Sequence, residues 1–194
     1  MSKLTEGLER IYRRFEAHEP HRAHSLQQPL SKEEIEIAIQ DLPFPIPPEV
    51  YELYQWRNGS TWEGFLFQQY DFMPLSHAIN EYKGWLKQVQ QDYPDIAGLF
   101  QFRLPLFQLW CECGVFLMVV PDGQGGSLIH SWDISFKNYA IRYNSLTDLI
   151  LYSAEWYETA VFDEEDPQWV IDDEAESQLD LKYRVQANNS DEEG

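Results

Sequence analysis

His18, His21 and His24, spaced by three, are the first residues of the chain that could do chemistry. Imidazoles so placed could ligate a transition metal. Pro20 interrupts them, and no cysteine or carboxylate set completes a site, so the segment reads as a polar loop. Cys111 and Cys113 form a lone C-x-C in an apolar run. Without a second pair they read as inert thiols in a buried strand. "PDGQGGS", from Pro121 to Ser127, is glycine-rich. A phosphate loop follows a strand, opens a helix and carries a lysine; this one has no lysine and joins two strand candidates, so it reads as a hairpin turn. The acidic runs Asp163–Asp166 and Asp172–Glu174 could attract calcium, but EF-hand spacing is absent and like-charge runs are ordinarily solvated. His77 and His130 have no serine or cysteine nucleophile pattern beside them. Carboxylate catalysis needs two acids held across a cleft, which no spacing here specifies. The expectation is a protein that is not an enzyme, with no cofactor and no metal.

Binding fits the residue types better. Trp56, Trp62 and Glu63 flank Asn58-Gly59 at the end of a helix. Tryptophan is a frequent anchor of binding hot spots, although packing into the core competes for both rings. The candidate protein-binding set is therefore Trp56, Asn58, Gly59, Trp62 and Glu63, joined by the acids Asp163, Glu164 and Glu165.

The charge agrees with such a role. The chain of 194 residues carries 33 acids against 14 bases, net −19. That field repels nucleic acid and anionic membrane surfaces and suits a basic partner, or serves solubility alone. From Glu155 to Gly194 there are 14 acids and 2 bases, net −12, which leaves −7 for the rest. No apolar h-region opens the chain and no apolar run approaches 18 residues, so a reduced, cytoplasmic protein is expected.

These residues must be positioned by ordinary elements. Leu4, Leu8, Ile11, Tyr12 and Phe15 predict a helix over 4–17. Pro20 and Pro29 bracket a loop. Ser31 with Glu34 is a capping box opening a second helix through Leu42. In "LPFPIPPEVYELYQWRNGS" the prolines force an extended link, Pro48 suits the first turn of a third helix, and Asn58-Gly59 suits its C-cap. A strand is expected through Phe65–Tyr70, then a helix capped by Ser76. Strand candidates follow at Leu106–Trp110, Val115–Val120, Leu128–Trp132 and Tyr139–Arg142. Ser145 with Asp148 opens a last helix to about Ala160. Helices, then a meander, then a helix imply an α+β single domain: a twisted antiparallel sheet of about five strands flanked by helices. Trp169, Val170 and Ile171 are apolar inside the acidic stretch that follows, so part of it can dock, while "NNSDEEG" has the composition of a disordered tail.

The order of these pieces resembles the SUKH superfamily, which includes fungal cell-wall-assembly regulators and bacterial immunity proteins. The resemblance rests on Leu42-Pro43 and Asn58-Gly59 in "EEIEIAIQDLPFPIPPEVYELYQWRNGS". It continues through Leu75-Ser76, Glu81 and Trp85 in "YDFMPLSHAINEYKGW", and Leu104-Pro105 and Gly114 in "LPLFQLWCECGVFLMVV". It closes on Ser145-Leu146 in "YAIRYNSLTDLILYSAEWY". It covers about residues 30–160. The chain then divides into an N-terminal helix and polar loop (1–29), a SUKH-like α+β domain (30–162) and a partly disordered acidic extension (163–194). The resemblance implies a non-catalytic binding domain, foremost an immunity protein that neutralises a toxin, possibly a nuclease, by direct binding. The alternative is a regulatory or scaffold protein with several partners; a hydrolase ranks third. The implied partner is a protein, basic in character, with no nucleic acid and no membrane.

Overall fold

Leu4, Leu8, Ile11 and Phe15 form a stripe at helical spacing, and all four are buried on α1 (Lys3–His18). The stripe packs on α7 (Leu146–Thr159), so closely that a Cβ on Gly7 would meet the Ile150 side chain at 2.8 Å. The computed structural model describes residues 1–61, 65–67, 69–109, 114–133 and 138–186. Strands β1 (Phe65–Phe67), β2 (Tyr70–Phe72), β3 (Leu104–Leu109), β4 (Val115–Pro121), β5 (Ser127–Asp133) and β6 (Asn138–Tyr143) make one antiparallel sheet in sequence order. The expected antiparallel sheet is there, with six strands among the described residues where about five were expected.

Side chains alternate across a strand, so the pairing register assigns the faces. Phe116 opposite Trp132 and Met118 opposite His130 point to one face, where Trp85 of α5 (Leu75–Asp92) and Phe100 of α6 (Ala97–Phe100) meet Phe116 and Trp132. Leu117 and Val119 point the other way, toward α7 and α4 (Pro48–Trp56), where Tyr54, Phe72 and Phe107 stack in series. The two faces and their helices share one core.

The N-terminus of α7 is tied down by a carboxylate. Glu49 accepts from the Thr147 N–H (3.0 Å) and hydroxyl and from the Ser127 hydroxyl, while Ser127 Oγ accepts from the Leu146 N–H. An acid at a helix N-terminus also meets the favourable end of the helix dipole. Ser145 caps the same helix by accepting from the Asp148 N–H.

Several local expectations are corrected. The loop expected over His18–Gln28 contains a helix, α2 (Pro20–Ser25), because Pro20 occupies its first turn, where no N–H is needed. The strand expected through Phe65–Tyr70 is split into β1 and β2. Ser76 does not cap α5: the helix begins at Leu75, and the Leu75 N–H donates to Asn58 Oδ1 at 3.0 Å. Asn58-Gly59 is not the C-cap of α4 either, since Arg57 is already extended there. It is instead the seat of α5. Asn58→Ala should therefore cost about 1 kcal/mol in urea unfolding, although the residue lies outside every helix.

Residues beyond Phe162 also have structure. β7 (Val161–Asp163) and β8 (Gln168–Val170) form a hairpin, and α8 (Asp173–Tyr183) packs on α7. Arg184 then bridges to Tyr143 at the end of β6. Thus α1 and α8, which belong to the segments set apart from 30–162 in sequence, both rest on α7. Trp110, Cys111, Cys113 and the tail "NNSDEEG" lie outside the described residues.

Candidate functional site

The candidate binding residues separate into framework and surface. Trp56 is 8% exposed; its indole N–H donates to Glu9 at 2.8 Å and its ring meets Tyr12 edge-on. Asn58 holds α5, and Gly59 is buried against the Met73–Pro74 backbone. These three positions shape the frame. Trp62 and Glu63 lie outside the described residues. Asp163, Glu164 and Glu165 are exposed in the β7–β8 turn, where Asp163 accepts from the Glu165 and Asp166 N–H groups.

Beside that turn runs a groove of about 370 Å³. Its lining includes Trp156, Tyr157, Trp169 and Glu176, with Gln69 from the turn between β1 and β2. Trp156 and Trp169 each meet Tyr157 edge-on, at 5.1 and 5.3 Å. Both indoles are oriented by acids: Trp156 donates to Glu176 (3.1 Å) and Trp169 to the buried Glu19 (2.5 Å). Arg14 lies 4.9 Å over the Trp169 ring, and Arg22 pairs with Glu19 at 2.9 Å. The aromatic floor is therefore fixed before anything binds. The C-terminal segments that border it are acidic, since residues 155–183 hold eleven acids and one base, Lys182, while Arg22 lines the groove on the side of α2.

α8 is held in register by its own contacts. Lys182 and Tyr183 donate to Glu155 on α7 at 2.7 and 2.6 Å. Burial raises the Glu155 carboxyl, but these bonds outweigh it and leave its pKa below the usual range. Arg184 donates to the Tyr143 and Tyr152 hydroxyls and pairs with Asp180. Burial pushes both phenols up, so their hydroxyls stay neutral while they accept from Arg184. Among the described residues no three of His, Cys, Asp and Glu converge as a metal site, and His18, His21 and His24 make none. Among the described residues no helix is long and apolar enough to cross a membrane.

The groove was missed because its members come from four separated segments. Trp156 looked like one more apolar residue of a helix, and Glu19 lies 150 positions from the indole it receives. The available signal was Trp169 itself, a tryptophan alone in an acid-rich run, which must either dock or bind.

The model of the SMI1/KNR4 family (SUKH-1) matches residues 29–151. The chain belongs to the SMI1/KNR4 family. The SUKH resemblance read from the motifs is thereby established, over nearly the span expected. Comparison with curated proteins found no match. The matched SMI1/KNR4 segment runs from just before α3 (Lys32–Ile39) into α7, and of the groove lining it contains only Gln69. The rest of the groove lining lies outside the matched segment.

Proposed function

We propose that this SMI1/KNR4 chain is a non-catalytic protein-binding domain, and that its groove receives a basic segment of a protein partner. The observation that carries this is the preorganised aromatic floor set among acids. A lysine or arginine entering it meets Glu176 and the acids of the hairpin beside Trp169, the floor ring that is only half-buried, because Trp156 and Tyr157 are themselves buried. Rigid tryptophans lose little entropy on binding, which is why such rings dominate interfaces. Within the family's range, the reading that best uses this charge is a cytoplasmic immunity protein that neutralises a basic toxin domain, such as a nuclease, by direct contact. Complementary charge speeds encounter and selects the partner.

The test is purification of the full chain from its own cells at low salt, followed by binding measurements on the protein retained. A single basic partner is expected, with association slowing steeply as salt rises. Trp169→Ala should weaken binding about 30-fold or more, and joint replacement of Asp163, Glu164 and Glu165 by lysine should slow association. Retention of a partner whose affinity ignores both variants would sink the proposal. Several unrelated partners sharing the groove would favour a regulatory scaffold instead.

A further inference from the structure

A positive charge is also buried among the described residues, inside the sheet face covered by α5 and α6. Arg103 and His130 are 9% and 6% exposed. Arg103 makes no ion pair among the described residues, and its enclosed Nε has no hydrogen-bond partner. Neither ring nitrogen of His130 has one, nor has Trp132 Nε1. His130 is neutral, because burial and the Arg103 charge press its pKa to about 4. Leaving an enclosed donor such as the Arg103 Nε–H without a partner is costly, since buried polar groups are otherwise almost always paired. Around this core lie three of the chain's exposed large apolar residues, Phe102 (46%), Tyr139 (45%) and Ile141 (42%). Tyr139 stacks on Trp132 and receives Arg103 5.7 Å over its ring, Ile141 is the register partner of His130, and Phe102 rests against Phe44.

We infer that this face is a second protein-binding surface, which takes an acidic side chain flanked by apolar ones. The occupant follows from charge complementarity. A guanidinium with no acid paired to it among the described residues cannot attract a basic partner, and it matches a carboxylate with short, charge-assisted hydrogen bonds. The apolar rim supplies the water exclusion that makes such a contact strong. The surface goes beyond the groove reading, has opposite polarity, and would leave the chain able to hold two different proteins.

The test uses the full chain with arginine side chains labelled with nitrogen-15. The probe is the peptide N-acetyl-Phe-Glu-Phe-amide, compared with its glutamine counterpart. Saturable shifts of the Arg103 Nε–H are expected, about 10-fold tighter for the glutamate peptide, and absent in Arg103→Met. Trp169→Ala should leave them unchanged, which separates this surface from the groove. Removing an unpaired buried charge should also leave the urea midpoint of Arg103→Met equal to or above the parent's. Equal response to both peptides, no response, or a clear loss of stability in Arg103→Met would each overturn the inference, the last by making Arg103 structural.

Discussion

Replacing Gly59 with alanine is expected to destabilise the fold by about 3 kcal/mol or more. Gly59 has φ +74°, and its Cβ would sit 2.3 Å from the Pro74 nitrogen and 2.6 Å from the Met73 carbonyl carbon. Those neighbours are backbone and cannot swing aside. They are also pinned, because the Ser60 N–H donates to the Phe72 carbonyl and the Gln27 N–H to the Gly59 carbonyl. Relief would have to separate the end of α4 from the start of α5. Gly84 provides the control: it lies within α5, and a Cβ there meets nothing within 4 Å. Gly84→Ala should therefore gain about 0.5 to 1 kcal/mol. Urea unfolding of the two variants should move the midpoint in opposite directions. Equal, small shifts would show that the Gly59 turn relaxes freely.

Ile11→Ala should cost about 2 to 4 kcal/mol, although Ile11 precedes the segment that defines the family. Ile11 is fully buried in the face that α1 presents to α7, and nearby Phe15 meets the Tyr157 ring edge-on at 5.0 Å. The cavity would open between two rigid helices with no loop to collapse into it. Denaturation followed by near-ultraviolet and far-ultraviolet circular dichroism should still give one coincident transition, at a lower midpoint. An early separate transition for α1, with the remainder at parental stability, would show that the helix is an accessory.

What could be read from the chain in advance was whatever is decided within one or two turns of backbone. The stripe from Leu4 to Phe15, the capping box of Ser31 and Glu34, Pro48 opening α4 and the glycine turn after Pro121 were all legible, because each signal is satisfied by near neighbours. The failures share a cause: a residue used its local chemistry on a distant partner. Asn58 looked like the stop of its own helix and instead caps one that starts 17 residues later. Ser76 had the right type for a cap and lost the place to it. Trp56 looked available to a partner, but Glu9 takes its N–H. The groove was least legible, since Trp156, Trp169, Glu176 and Gln69 converge only after α8 and the hairpin have closed on α7.

The pairing of α1 with α7 also has a consequence for how the chain is born. The sheet grows strand by strand, each pairing with the one just made. The first helix cannot follow that order. Its apolar stripe leaves the ribosome first and waits for a helix that begins at Leu146. At bacterial or eukaryotic speeds of synthesis that interval is on the order of ten seconds, far longer than a helix needs to form. For that time only α2 and α4 can shelter the helix, and the face that meets α7 stays open. The last helices thus act as the closing stitch of the fold, and a chain truncated before Leu146 would leave that face of α1 uncovered.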